Sequence, residues 1–184
     1  MKTENLTHLH ILIVDGKAGN ARLLRGILLA LGIANVVMAE NTDQALETMA
    51  ITNFHVVFCD EAVGPLDAAE FVLAVRRKAK VRNPRAAMVL VSDGPQRAQV
   101  EQVRDAGIND LIVRPLSMNS VERKLHTLLF APKRFVESEA FFGPDRRREK
   151  DRRAGEAENS APLHDRREGQ LLRRRTDPRG PSAR

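Results

Sequence analysis

Five short apolar runs, each followed by a segment of helical period, predict an α/β fold. The expected architecture is a five-stranded parallel sheet, doubly wound with helices on both faces, followed by a mostly disordered basic tail. Three observations carry this. The candidate strands are apolar almost throughout, which means that both sheet faces are covered. Strand and helix patterns alternate over residues 1–131 as βα units. The composition then changes: residues 1–131 hold 15 Lys and Arg against 14 Asp and Glu, whereas residues 132–184 hold 15 against 10 and few large apolar side chains.

The elements follow in order. LHILIV (9–14) is the first strand. Leu24, Ile27, Leu28 and Leu31 recur at i, i+3, i+4 and i+7 and line one face of a helix over 18–31, which Gly32 closes from the left-handed position. NVVMA (35–39) is the second strand, and Thr42 is a candidate cap for a helix that turns Ala45, Leu46 and Met49 inward. FHVVFC (54–59) runs into Asp60 as the third strand. Asp67 opens a third helix, with Phe71, Val72 and Val75 inward, that ends in RRKAK. AAMVLVS (86–92) is the fourth strand; Pro95 suits the first turn of a fourth helix and Gly107 its end. DLIVRP (110–115) is the fifth strand, and Met118, Val121, Leu125, Leu128 and Leu129 form the stripe of the last helix.

Several function classes fall away. A single cysteine, Cys59, excludes an internal disulfide, and inside an apolar strand it reads as a small buried hydrophobe. His8, His10, His55, His126 and His164 show no metal-ligand spacing, and His55 alternates with packed strand residues. Gly16-Lys17-Ala18-Gly19 fits neither the dinucleotide pattern nor the P-loop. MKTENLTHLHILIVD makes a poor signal peptide, and no apolar run approaches the ~20 residues of a membrane span, so a soluble cytoplasmic protein is expected.

In a parallel doubly wound sheet the functional crevice lies at the carboxyl ends of the strands. Those ends carry Asp15, Asp60, Ser92 with Asp93, and Arg114-Pro115. Carboxylates hold Mg²⁺, and a hydroxyl and a cation hold phosphoryl oxygens. ILIVD (11–15), the spacing from Asp60 to Leu66-Asp67, VLVS (89–92) and AGINDLIVRP (106–115), in that order, resemble the receiver domain of two-component response regulators over about residues 8–130. The resemblance implies a flavodoxin-like receiver fold over 1–131. It implies Asp60 as phosphoacceptor from a histidine kinase or phosphotransfer protein, with Ser92 and Arg114 assisting and no metabolic enzyme activity. A Mg²⁺ ion would be held by Asp15, Asp60 and the backbone carbonyl of Ala62, and signalling would proceed through an unknown output protein.

The chain also departs from that family. Where a second acid usually follows the first strand there is Gly16, so the metal site loses a charged ligand. Arg114 replaces a lysine, Leu111 the usual aromatic of the fifth strand, and Gly64-Pro65 shifts a proline by one place. Asp93 stands where a small residue is usual; it either caps the next helix outward, points inward against the phosphoryl group, or replaces the missing ligand. A phosphorylation-independent pseudo-receiver is therefore the alternative to a working one.

The arm from 132 onward mixes Gly, Pro, Ser and Glu with Asp-Arg-Arg triplets at Asp145, Asp151 and Asp165, and cannot bury enough apolar surface to order itself. It reads as a solvated arm, as a docking peptide anchored by Phe135, Phe141 and Phe142, or as an adaptor segment for nucleic acid, anionic lipid or an acidic partner. FFGPDRRR resembles a short tail motif found after some bacterial receivers.

Overall fold

The computed structural model describes residues 6–78, 80–138 and 141–147. The chain divides into two compact units at Asp145/Arg146, and of the second only residues 146 and 147 are described. The first unit contains β1 (His10–Val14), α1 (Ala18–Ala30), β2 (Asn35–Ala39), α2 (Thr42–Ile51), β3 (Val56–Asp60), α3 (Ala68–Leu73), β4 (Ala87–Ser92), α4 (Arg97–Ala106), β5 (Asp110–Val113) and α5 (Met118–Phe130). A short β6 (Phe135–Glu137) and β7 (Phe142–Pro144) follow.

The sheet order is β2-β1-β3-β4-β5, all parallel. Strand alternation sends Leu12, Val14, Val57, Cys59, Met88 and Leu90 into one core, closed by Phe71, Val72 and Val103. Ile11, Ile13, Val56, Phe58, Val89 and Val91 enter the other, closed by Leu24, Leu28, Val121 and Leu125. Two covered faces explain why these strands read as unbroken apolar runs. The chain reverses winding direction between β1 and β3, and so opens a crevice at their carboxyl ends.

Two helix starts differ from expectation. Asn41, not Thr42, caps α2, accepting the Gln44 N–H at 2.9 Å. Thr42 is buried, and its hydroxyl bonds Gly64 O and Leu66 N instead, tying α2 to the loop after β3. Helix α4 starts at Arg97 with Gln96 as cap, so Pro95 lies outside its first turn. Asp67 does cap α3, in a reciprocal capping box with Glu70. That helix then widens into a π-helical turn, Ala74–Lys78, at buried Arg76. Gly32 (φ 85°) and Gly107 (φ 102°) end α1 and α4 in the left-handed region. In the stripe of α5, Val121 and Leu125 are buried, but Met118, the first helical residue, is 47% exposed.

The expected boundary at residue 131 moves. Phe135–Glu137 and Phe142–Pro144 pair as an antiparallel hairpin within the first unit. Its aromatic residues supply the apolar area that the arm as a whole lacks: Phe135 lies over the Arg76 guanidinium, 5.0 Å from Cζ to ring centroid, and Phe142 packs on Phe135. The Phe142 carbonyl and Gly143 approach Gly107 so closely that a Cβ on Gly107 would lie 2.7 Å from Phe142 O. The expectation for the arm beyond 147 lies outside the described residues. Among the described residues no helix is long and apolar enough to cross a membrane.

Candidate functional site

Each strand delivers its last residues to one edge. The Asp15 N–H donates to Ala39 O at 3.1 Å, extending the β1–β2 ladder by one residue, and Asp60 ends the central strand β3. The Arg114 N–H donates to Ser92 O at 2.8 Å, continuing β5 alongside β4. Asp15, Asp60 and Ser92 are 6%, 4% and 0% exposed, so none is a surface cap.

The structure brings Asp15, Asp60 and Arg114 together. A single guanidinium nitrogen, Arg114 Nη2, donates to Asp15 Oδ2 at 3.0 Å and to Asp60 Oδ2 at 2.5 Å. The other oxygens accept backbone amides: Asp15 Oδ1 from Lys17 N–H at 2.8 Å, Asp60 Oδ1 from Ala62 N–H at 3.0 Å. All four carboxylate oxygens thus have a donor, as buried charges require. Burial, only partly opposed by the Lys17 amide and reinforced by the Asp60 charge, holds the Asp15 carboxyl above its usual pKa. Burial works to lower the Arg114 pKa, but the hydrogen bond and charge of Asp60, with the charges of Asp93 and Asp15, raise it overall. Cys59, one residue before Asp60, is inert for thiolate chemistry: burial, then the charges of Asp60 and Asp15, push its thiol pKa up.

Ser92 turns away from that cluster. Its hydroxyl donates to Glu61 Oε2 at 2.5 Å and accepts the Gly94 N–H at 3.1 Å. Glu61 is the residue to which sequence reasoning gave no role. Its only signal was position, directly after Asp60 and opposite a strand-end hydroxyl. Asp93 takes the outward placement, its side chain 60% exposed, but it caps no helix; it reaches Arg114 Nη1 at 3.4 Å. At Gly16, where the second acid is missing, a Cβ would meet one atom within 4 Å, Glu40 O at 3.3 Å.

A divalent cation needs carboxylate or carbonyl oxygens turned to a common point. Asp15 and Asp60 supply two carboxylates, but Arg114 Nη2 already bridges the oxygens that would face the ion. The Ala62 N–H occupies the remaining oxygen of Asp60, Oδ1. Among the described residues no group of three or more His, Cys, Asp or Glu could hold a metal. As arranged, the residues do not fit Mg²⁺.

The response regulator receiver domain family matches residues 11–126. The probable chemotaxis protein CheY of Rhizobium etli is 24% identical over 123 residues, which cover 67% of this chain and 94% of that protein. Chemotaxis protein CheY of Pseudomonas aeruginosa is 24% identical over 118 residues, covering 64% and 94%. Among solved structures, Vibrio cholerae CheY4 matches with a TM-score of 0.59 at 19% identity, over 66% of this chain and 98% of that one. A Pseudomonas aeruginosa sensor histidine kinase receiver domain, with magnesium coordinated in its active site cleft, matches at 0.57 and 20%, over 64% and 94%. Because the family match spans well over half of the chain and its sheet order is the one observed, the chain belongs to the response regulator receiver domain family, a signalling domain of two-component systems.

Proposed function

We propose that this chain is a response regulator whose Asp60 accepts a phosphoryl group and whose output is protein–protein contact. The observation that supports it best is the environment of Asp60: a carboxylate 4% exposed at the end of the central strand, held by a guanidinium on one oxygen and a backbone amide on the other. In this reading an Asp60 oxygen attacks the phosphorus of a phosphohistidine on a kinase or phosphotransfer protein. The O–P bond forms as the P–N bond breaks, and the imidazole leaves with the electron pair and takes a proton from water. Arg114, turning from Asp60 Oδ2, then binds phosphoryl oxygens, for which a planar guanidinium is suited. Ser92 donates its hydroxyl to another, and the Gly94 amide on Ser92 Oγ carries that exchange into the loop before α4. A charge added at one point thereby biases a two-state loop.

Intact mass after incubation with a small phosphodonor tests this, with Asp60→Ala as control. A gain of one phosphoryl, absent in the variant, supports the reading; no gain with either a small donor or a cognate kinase sinks it. One observation favours a second reading, a phosphorylation-independent pseudo-receiver: the bridge from Arg114 leaves the acceptor already neutralised.

A further inference from the structure

We propose that Arg114 is the resident cation of this site, so that the pair Asp15–Asp60 is held and used without a divalent metal ion. This rests on the receiver reading of the preceding subsection only for its phosphoryl arm; the assignment of the cation stands on the geometry alone.

Two carboxylates buried side by side repel. A cation between them relieves that repulsion and keeps both ionised. Arg114 does so with one nitrogen, both of whose N–H bonds are used, at 3.0 Å to Asp15 and 2.5 Å to Asp60. The remaining two oxygens are already taken by the amides of Lys17 and Ala62. An incoming ion would have to remove Nη2 from both carboxylates and would find no third acid.

The surroundings fit the same assignment. Gly16 supplies no carboxylate, so β1 brings one acid to this edge and not two. The Arg114 side chain is 15% exposed and is anchored at both ends: its backbone N–H bonds Ser92 O at 2.8 Å, and Nη1 faces Asp93 at 3.4 Å. Asp93 therefore holds the guanidinium from the solvent side. Arginine keeps its charge at any pH at which the protein folds, so this cation is never lost to chelation or dilution.

The test uses the full chain and Arg114→Ala, with melting followed by far-UV circular dichroism in EDTA and in millimolar MgCl₂. A ligand that binds only the folded state raises its melting temperature. The wild type should melt at the same temperature in both buffers. Arg114→Ala should melt lower in EDTA and recover part of the loss in MgCl₂, because the bared carboxylates then take the ion. Should that variant not fold, the wild-type comparison still decides. In parallel, labelling by a small phosphodonor read by intact mass should be equal with and without Mg²⁺. A wild-type melting temperature raised by Mg²⁺, or labelling that requires Mg²⁺, overturns the assignment. Absence of labelling in both buffers counts against the phosphoacceptor reading, while the melting comparison still judges Arg114.

Discussion

Replacing Arg76 by methionine keeps an unbranched apolar stem and removes the guanidinium. That residue is 4% exposed, and among the described residues its guanidinium donates to neutral acceptors. Nε donates to Gly107 O at 3.2 Å, Nη1 to Ala86 O at 2.9 Å, and Nη2 to Asn109 Oδ1 at 2.8 Å. Nη1 also donates to Pro84 O. Burial lowers its pKa to about 10, so it is still charged at neutral pH. One side chain thus joins the π-helical turn to the start of β4, the end of α4 and the start of β5, and carries the Phe135 ring above it.

Bonds from a charged donor are worth roughly 1.5–3 kcal/mol each. Against their loss stands relief from burying a charge, which is several kcal/mol. Partial rehydration of Pro84 O reduces the loss further, and the net is about 2–4 kcal/mol. For a folded unit of this size that lowers the melting temperature by about 6–15 °C. Arg76→Lys should fall nearly as far, because an ammonium keeps the charge but not the fork. With no Trp or Tyr in the chain, urea and thermal unfolding are followed by far-UV circular dichroism. A loss under ~1 kcal/mol for Arg76→Met would refute the claim that these bonds outweigh the burial of the charge.

Other perturbations probe separate parts. Gly107→Ala adds a Cβ 2.7 Å from Phe142 O at a residue with φ 102°, and should cost about 2–4 kcal/mol in urea unfolding and displace the hairpin, read as faster amide exchange over 135–144. Asn41→Ala should cost about 1 kcal/mol by removing the α2 cap, whereas a larger loss at Thr42→Val would reflect the loop after β3, not helix capping. His55 is held below its usual pKa by burial and then by His10 and His8, and its Nδ1 accepts the His10 amide. Between the folded pKa and 6.5 the unfolded state binds more protons, so stability should fall as pH drops through that window, and His55→Gln should flatten the slope. Asp15, raised above 3.8, has the opposite sign in its own lower window, where acidification relieves it.

The layers were legible because they follow from local periodicity. Continuous apolar strands announced a sheet buried on both faces, and parallel strands bring their carboxyl ends to one edge whatever the loops do. Asp15, Asp60, Ser92 and Arg114 could therefore be placed at one crevice from strand ends alone. Their pairing could not. Whether Ser92 meets Asp60 or Glu61 depends on a side-chain rotamer across two strands, and no spacing encodes that. Cap assignment failed at Thr42 for a related reason: a hydroxyl beside Asn41 serves equally well on paper, and a loop 22 residues away claimed it. The hairpin was missed because composition was averaged over the whole arm. Three phenylalanines in 135–142 suffice for a strand pair when a buried arginine and a bare Gly107 await them.

Glu61 marks where the proposed receiver reading becomes quantitative. The Ser92 hydroxyl has one proton, and it points at Glu61 Oε2 at 2.5 Å. It cannot donate to Glu61 and to a phosphoryl oxygen on Asp60 at once. Release from Glu61 must accompany phosphorylation, and the released carboxylate faces the cleft that Gln99 and Gln102 of α4 line with Asp67. A hydroxyl–carboxylate bond of this kind is worth roughly 1.5–3 kcal/mol, which opposes the phosphorylated state by that amount. At 1.36 kcal/mol per decade, Glu61→Ala should shift the labelling equilibrium toward phospho-Asp60 by about 10- to 100-fold. Glu61→Gln, still an acceptor but neutral, should fall between. Intact mass at a series of phosphodonor concentrations gives the shift directly. Equal or weaker labelling of Glu61→Ala would mean that Ser92 takes no part in binding the phosphoryl group, and the route from Asp60 into the loop before α4 would have to run through Arg114 and Asp93 instead.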